Sequence, residues 1–294
     1  NSLATVWTTV RNIMSDIKKN DIIEIDITAV SNLGYGVGRT ESGKVVFTPG
    51  TVTGERVSVK IIKITKGYLV GKLVKIISDS SLRDSGEKCT APATCGGCAY
   101  RFIKYDHELE LKKQNVKSEF DKVGLHGVKI LDTAYVRDEN GKAAIWHYRN
   151  KAQYPVAVKD GKVVTGFYRA RSHDVIPMDN CLLQKEISNK IALFVCDFWQ
   201  KNSLSVYDEI AHKGVLRHIY IRSGKDEVQL VLVVTQRDVK KLKAFISAVT
   251  MEFPMISSVI LNIHPDKIHV QLDVSERQLQ QTIEVGIACT EVIQ

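Results

Sequence analysis

The residues best suited to chemistry are three cysteines in one short loop, Cys89, Cys95 and Cys98, spaced C-TAPAT-C-GG-C. The intervening Thr, Pro and Gly residues make a loop rather than an apolar face, so core packing does not account for thiols this close. Two glycines before Cys98 let the backbone fold tightly enough for neighbouring sulfurs to converge. Three thiolates need a fourth donor to close a tetrahedral zinc site or to hold a cubane iron–sulfur cluster. Cys181, at the end of a turn-like Met178-Asp179-Asn180 segment, is the candidate. The paired C-x2-C knuckles of zinc ribbons are missing, so a three-plus-one set suits an iron–sulfur cluster at least as well as zinc. Spacing alone leaves zinc and a metal-free thiol loop open. Cys196 lies in the apolar run IALFVCDFW and reads as a buried, inert thiol. Cys289 has no His or Lys close in sequence and is assigned nothing.

A second kind of chemistry is written in cationic and aromatic residues. Residues 147–154 read HYRNKAQY, and strand alternation sends Arg149, Lys151 and Gln153 to one face, the arrangement a groove for a polyanion needs. Residues 166–173, GFYRARSH, add Tyr168 and Arg169. The glycine-rich run GYGVGR at 34–39 superficially resembles a dinucleotide loop, but such a loop must open a helix whose amides face the phosphate. Here it leads into KVVFTPG, a strand, so a hairpin is expected, with Tyr35 placed for base stacking and Arg39 for phosphate. Lys plus Arg number 41 against 33 for Asp plus Glu, a formal charge of +8 that favours a polyanionic partner.

Several elements must position these groups. Residues 21–78 alternate in short β-branched runs bounded by Gly, Asn or Pro, which predicts four or five strands closing into a small OB-type barrel. The polar stretch SDSSLRDSG marks a boundary. Residues 105–123 predict a helix with Leu109, Leu111, Val116, Phe120 and Val123 as its apolar residues. Beyond it, strands near 151–158, 163–168 and 174–177, a helix near 182–199, strands near 215–222 and 227–235, a helix near 239–253 and strands near 257–263 and 267–273 describe an α+β layer packing. A 44% hydrophobic and 25% charged composition excludes wholesale disorder, and six cysteines in 294 residues are too sparse for a disulfide scaffold. No apolar stretch reaches the ~20 residues a membrane-spanning helix requires. The first thirteen residues carry no secretory signal and read as leader or non-native sequence ahead of Met14.

Together these residues resemble one family: the iron–sulfur-containing RNA (uracil-C5)-methyltransferases, in particular the type with an N-terminal TRAM domain that modifies 23S ribosomal RNA. The resemblance is carried by GYGVGR, KVVFTPG, Gly54-Glu55 and YLVGKLVKI in the barrel, then by CTAPATCGGC, YDHELELKKQNV, HYRNKAQY, GFYRARSHDVIPMDNC and GVLRHIYIR. It implies a 4Fe–4S cluster on Cys89, Cys95, Cys98 and Cys181. It also implies an RNA partner (ribosomal rather than transfer RNA), no membrane, a cytoplasmic setting, and S-adenosylmethionine as methyl donor in the complete family protein. Tyr35, Arg39, Arg149, Lys151, Gln153, Tyr168 and Arg169 are the expected RNA contacts. In the family's chemistry a cysteine thiolate adds to uracil C6, C5 takes the methyl group, and a base removes the C5 proton before the thiolate leaves. No step moves electrons from a metal, so the cluster is expected to be structural. A radical or electron-transfer enzyme fits the cysteine spacing poorly.

The family continues into a Rossmann-like methyltransferase domain, and after Asn262 this sequence shows neither its Gly-rich loop nor its catalytic cysteine. The fold expected is therefore α+β: leader 1–13, TRAM-like barrel 14–82, iron–sulfur box and α+β domain 83–264, and an atypical tail 265–294. The methyltransferase domain is expected to be missing by C-terminal truncation and the chain inactive, with no catalytic or cofactor-binding residue assigned. The alternative expectation is a stand-alone RNA-binding module.

Overall fold

The computed structural model describes residues 17–84, 89–264 and 282–285. The expected leader, Cys289 and most of the expected tail lie outside them. The chain divides into two compact units: residues up to Glu87 with Cys98–Tyr135, and Lys88–Gly97 with everything from Val136 onward. This differs from the expected boundary at 82/83, because residues 98–135 join the barrel.

In the first unit, β1 (Ile22–Val30), β2 (Tyr35–Arg39), β3 (Val45–Pro49), β4 (Arg56–Ile64) and β5 (Tyr68–Ser78) close a barrel in the order β1-β2-β3-β5-β4. Only β3 and β5 run parallel. Period-two alternation sends Ile25, Ile27, Val46, Val57, Val59, Ile61 and Leu69 inward, where they form the barrel core. The GYGVGR run leads into a strand pairing as expected, but it is mostly strand β2 itself, paired with β1 and β3, with Gly34 in the turn before it. Gly34 has φ +75°, and a Cβ there would stand 2.2 Å from the Ala99 carbonyl oxygen, so both conformation and space demand glycine. Glu55 is buried, receives the Val52 N–H at 2.8 Å, and is paired with Arg83, whose Nη2 lies 3.0 Å from Glu55 Oε2 and 2.8 Å from the Gly50 carbonyl.

Helix α1 (Tyr105–Lys122) lies in the same unit, where Leu111 joins Val30, Val52 and Ile103 in a small second core. Of the apolar residues expected on this helix, Leu111 alone is buried; Val116 and Val123 are exposed. Ion pairs Lys112–Glu108 and Lys117–Asp121, at i,i+4, support the solvated remainder.

The second unit is a seven-stranded sheet. β6 (Lys151–Lys159), β7 (Lys162–Tyr168), β8 (Val175–Pro177), β9 (Leu216–Ser223), β10 (Val228–Val234), β11 (Ile256–Ile263) and β12 (Thr282–Val285) take the order β12-β11-β10-β9-β6-β7-β8. Helices α2 (Glu186–Lys201) and α3 (Leu242–Glu252) accompany it, α3 forming the crossover between the parallel strands β10 and β11. One sheet face is apolar: Ala152, Tyr154, Ile219, Ile221, Leu230, Leu232, Val259 and Leu261 pack with Ile191, Val195, Trp199, Phe245 and Val249 of the helices. Burying one large side chain such as Trp199 contributes several kcal/mol, about 3–5 judged by truncation to Ala. β12 pairs with β11 from within the stretch expected to be an atypical tail, so the sheet extends past the expected end at 264.

Candidate functional site

On the opposite face, β6 and β9 carry polar residues. Register places Lys151 beside Arg222 and Gln153 beside Tyr220, all pointing away from the helices. Arg149, just before β6, bridges to Gln184, its N–H donating to the Leu183 carbonyl at 3.1 Å. The result is a pocket lined by Arg149, Lys151, Gln153, Phe167 and Gln184. The structure thus brings together the three residues that alternation assigned to one face, and adds two that the sequence did not single out.

The other expected contacts fare differently. Tyr168 is half-buried, and its hydroxyl lies 3.3 Å from Glu209 Oε1 and 3.2 Å from His218 Nε2. Burial, then the Glu209 charge, pushes its pKa well up, so it is a fixed hydroxyl. Arg169 donates through Nε and Nη2 to Asp174 Oδ2 at 3.0 and 2.9 Å. Lys159 first, then Arg169, holds the Asp174 carboxyl below its usual range. The Arg169 charge is therefore largely answered within its own hairpin. In the barrel unit, Tyr35 and Arg39 sit on the outward side of β2. Arg39 Nη1 donates to the Gly43 carbonyl at 2.9 Å, bracing the β2–β3 turn. On the same outer surface Phe47 and Tyr68 meet edge to face at 5.5 Å, a pair that sequence reasoning missed.

The cysteine loop is locked to the end of β7. Cys95 forms an antiparallel bridge with Arg169, and the Gly96 N–H donates to the Tyr168 carbonyl at 3.0 Å. A Cβ at Gly96 would stand 2.7 Å from that carbonyl oxygen and 2.9 Å from the Ala170 nitrogen, so the close approach requires glycine. Cys181 opens the turn into α2. Asn189, buried on α2, holds that turn from both sides: Nδ2 donates to the Cys181 carbonyl at 3.1 Å, and Oδ1 accepts from the Cys181 N–H at 3.3 Å and from the Tyr154 hydroxyl at 2.8 Å. Burial is the largest influence on the Cys181 thiol and raises its pKa. The backbone N–H groups of Leu183 and Gln184 oppose it, and the charges of Cys89 and Cys95 add to the rise.

That coupling places Cys89, Cys95 and Cys181 in one neighbourhood of the second unit. Cys98 falls just past the division, in the first unit's share of the chain. Among the described residues no three His, Cys, Asp or Glu side chains stand together as a metal-binding group. The donor set nevertheless fits a soft metal or cluster: reduced thiols, a tight glycine turn, and N–H donors aimed at the remote sulfur. Cys196 is separate, on the apolar face of α2, where burial pushes its thiol up to about 12. Asn189 could have been suspected from sequence as a lone amide on an otherwise apolar helix face.

Residues 18–74 match the TRAM domain family, which covers most of the barrel, ending within β5. Among curated proteins, the chain is 32% identical over 256 residues to a protein named uncharacterized RNA methyltransferase from Halalkalibacterium halodurans. That match covers 86% of this chain and 54% of the relative. A protein of the same name from Clostridium acetobutylicum is 36% identical over 275 residues, 91% of this chain and 58% of the relative. The chain thus spans somewhat more than half the length of these relatives. Among solved structures, it shares its fold with Pyrococcus abyssi tRNA (uracil-54, C5)-methyltransferase in complex with S-adenosyl-L-homocysteine. The TM-score is 0.60 at 18% identity, covering 84% of this chain and 52% of that one.

These findings correct three expectations. A missing methyltransferase domain, an inactive chain and a stand-alone binding module all rested on where the sequence stops resembling the family. The alignment instead runs through most of this chain within proteins named RNA methyltransferase. A sequence that spans part of its relatives decides neither the presence of a further domain nor activity.

Proposed function

We propose that this protein acts as an S-adenosylmethionine-dependent RNA (uracil-C5)-methyltransferase, with 23S ribosomal RNA as substrate in the bacterial cytoplasm. The described residues serve RNA recognition. The observation that carries the reading is the polar sheet face, where Arg149, Lys151 and Gln153 converge at one pocket. It occurs in a chain whose barrel matches the TRAM domain and whose homologues are named RNA methyltransferase. Arg149 and Lys151 take phosphates, and Gln153 offers both a donor and an acceptor to a base edge. S-adenosylmethionine supplies the methyl group when bound. The target uracil must leave its stack to be methylated, so grip on the flanking single strand is what these residues contribute.

Cys89, Cys95, Cys98 and Cys181 would hold a 4Fe–4S cluster that ties the loop to α2 and moves no electrons in the reaction. Asn189 and Tyr154 hold the Cys181 turn in place. Deleting the encoding gene tests the substrate. One 5-methyluridine should vanish from 23S RNA, read by mass spectrometry of nuclease digests, while transfer RNA keeps its own. Loss from transfer RNA instead, or no loss from either, would overturn the assignment.

A further inference from the structure

The Gln184 backbone supports the Cys181 turn, but its side chain is assigned no role there. The residue is 1% exposed, yet its Oε1 has no hydrogen-bond partner. A buried carbonyl left unpaired costs stability, and such a group calls for a reason. Gln184 also forms part of the wall of the pocket whose other sides are Arg149, Lys151, Gln153 and Phe167. Its backbone is fixed: the N–H donates to the Cys181 carbonyl at 3.1 Å, and the carbonyl meets His147 Nδ1 at 2.7 Å. Only the side chain is free to respond, and the terminal torsion of a glutamine is soft.

The lining has the composition of a nucleotide subsite. Two cations suit a phosphate, one aromatic ring suits a base plane, and two carboxamides match the donor and acceptor pattern of a base edge. We propose that this pocket captures one unstacked nucleotide of single-stranded RNA. Gln184 Oε1 accepts an N–H of the base, Gln153 supports the same edge, Phe167 forms the aromatic wall, and Arg149 and Lys151 hold the adjoining phosphate. The pocket then reads the presence of a base, which the phosphate contacts alone cannot do. This inference rests on the RNA reading above and adds a base-reading residue to it.

The test compares a short oligouridylate with an abasic oligomer of equal phosphate count, by fluorescence anisotropy, on the wild-type chain and two variants. Wild type should prefer the base-bearing oligomer. Gln184→Met removes the carboxamide at similar volume, and should shrink that preference about threefold to tenfold, the worth of one hydrogen bond. Its salt slope should stay unchanged and its melting temperature equal or higher, because an unpaired buried oxygen is gone. Gln153→Ala, at an exposed position, should reduce the preference less and leave folding intact, so the proposal stays testable if Gln184→Met folds poorly. An unaltered base preference in the variants that fold overturns the subsite while leaving RNA binding standing. Absence of binding to either oligomer by wild type overturns the RNA reading itself.

Discussion

Two buried polar groups, one in each unit, are treated in opposite ways. In the barrel, Glu55 is answered on both carboxylate oxygens by Arg83 and by the Val52 amide, so the group closes the structure on itself. In the sheet unit, Gln184 Oε1 is equally buried and unanswered, at the wall of a polar pocket. A satisfied buried pair makes one arrangement stable, whereas an unsatisfied group is tolerated where a ligand completes it. Arg39 and Arg149 repeat the contrast. The first braces its own hairpin turn, while the second lines the pocket.

Five substitutions break or sharpen this contrast. The largest effect is expected for Cys181→Ser: chain prepared without oxygen should carry about four irons and lose most of them in this variant. Cys196→Ser should keep them, since its thiol sits protonated inside α2. Iron retained in the first and lost in the second would reverse the ligand assignment. Next comes Glu55→Ala, which strands Arg83 without its carboxylate and should cost about 3–5 kcal/mol in barrel stability. Denaturant unfolding measures it, and a loss below about 1 kcal/mol would show that the pair does not hold the barrel. Asn189→Ala removes four side-chain hydrogen bonds, three of them to Asn180 and Cys181 of the turn and one to Tyr154, and should cost about 1–3 kcal/mol in the sheet unit. The accompanying fall in iron occupancy separates positioning of Cys181 from simple loss of packing.

The smallest effect concerns acid. The folded-state pKa of Asp174 is depressed by Lys159 and Arg169, so its contribution is present above the unfolded value, about 3.9, and is lost as pH falls through the lower folded value. Asp174→Asn should lower the melting temperature slightly at neutral pH and flatten its decline below about pH 4. A melting curve unchanged at every pH would mean that the pair is wholly screened.

Much of this was readable in the sequence, for identifiable reasons. The barrel strands carry period-two alternation between Gly and Pro breaks, and that local signal survives folding. The strand after GYGVGR was enough to reject a dinucleotide loop. Alternation grouped Arg149, Lys151 and Gln153 because all three precede or sit on one strand. What was hidden depends on long-range pairing. Nothing local links Glu55 to Arg83 or Asn189 to Tyr154. Arg169 and Asp174, by contrast, lie five residues apart in one hairpin, a local pairing that the reading of Arg169 as an RNA contact passed over. Helix α1 was legible from its apolar residues, but not that Leu111 joins a small core or that the helix belongs with the barrel rather than with the sheet. β12 was missed because its strand signal is short and lies far from the strand it pairs with.

The central claim is that the polar face of the sheet unit grips RNA through phosphates. The salt dependence of binding tests it most directly, with single-stranded RNA titrated by anisotropy across a range of salt concentrations. Each phosphate contact contributes a slope of about −0.7 in log affinity against log salt. Replacing Arg149 and Lys151 together by Ala should make the slope shallower by about 1.4, and replacing Arg39 and Arg169, whose guanidiniums are held internally, should change it little. An unchanged slope in the Arg149/Lys151 variant, or a larger change in the other, would contradict the account.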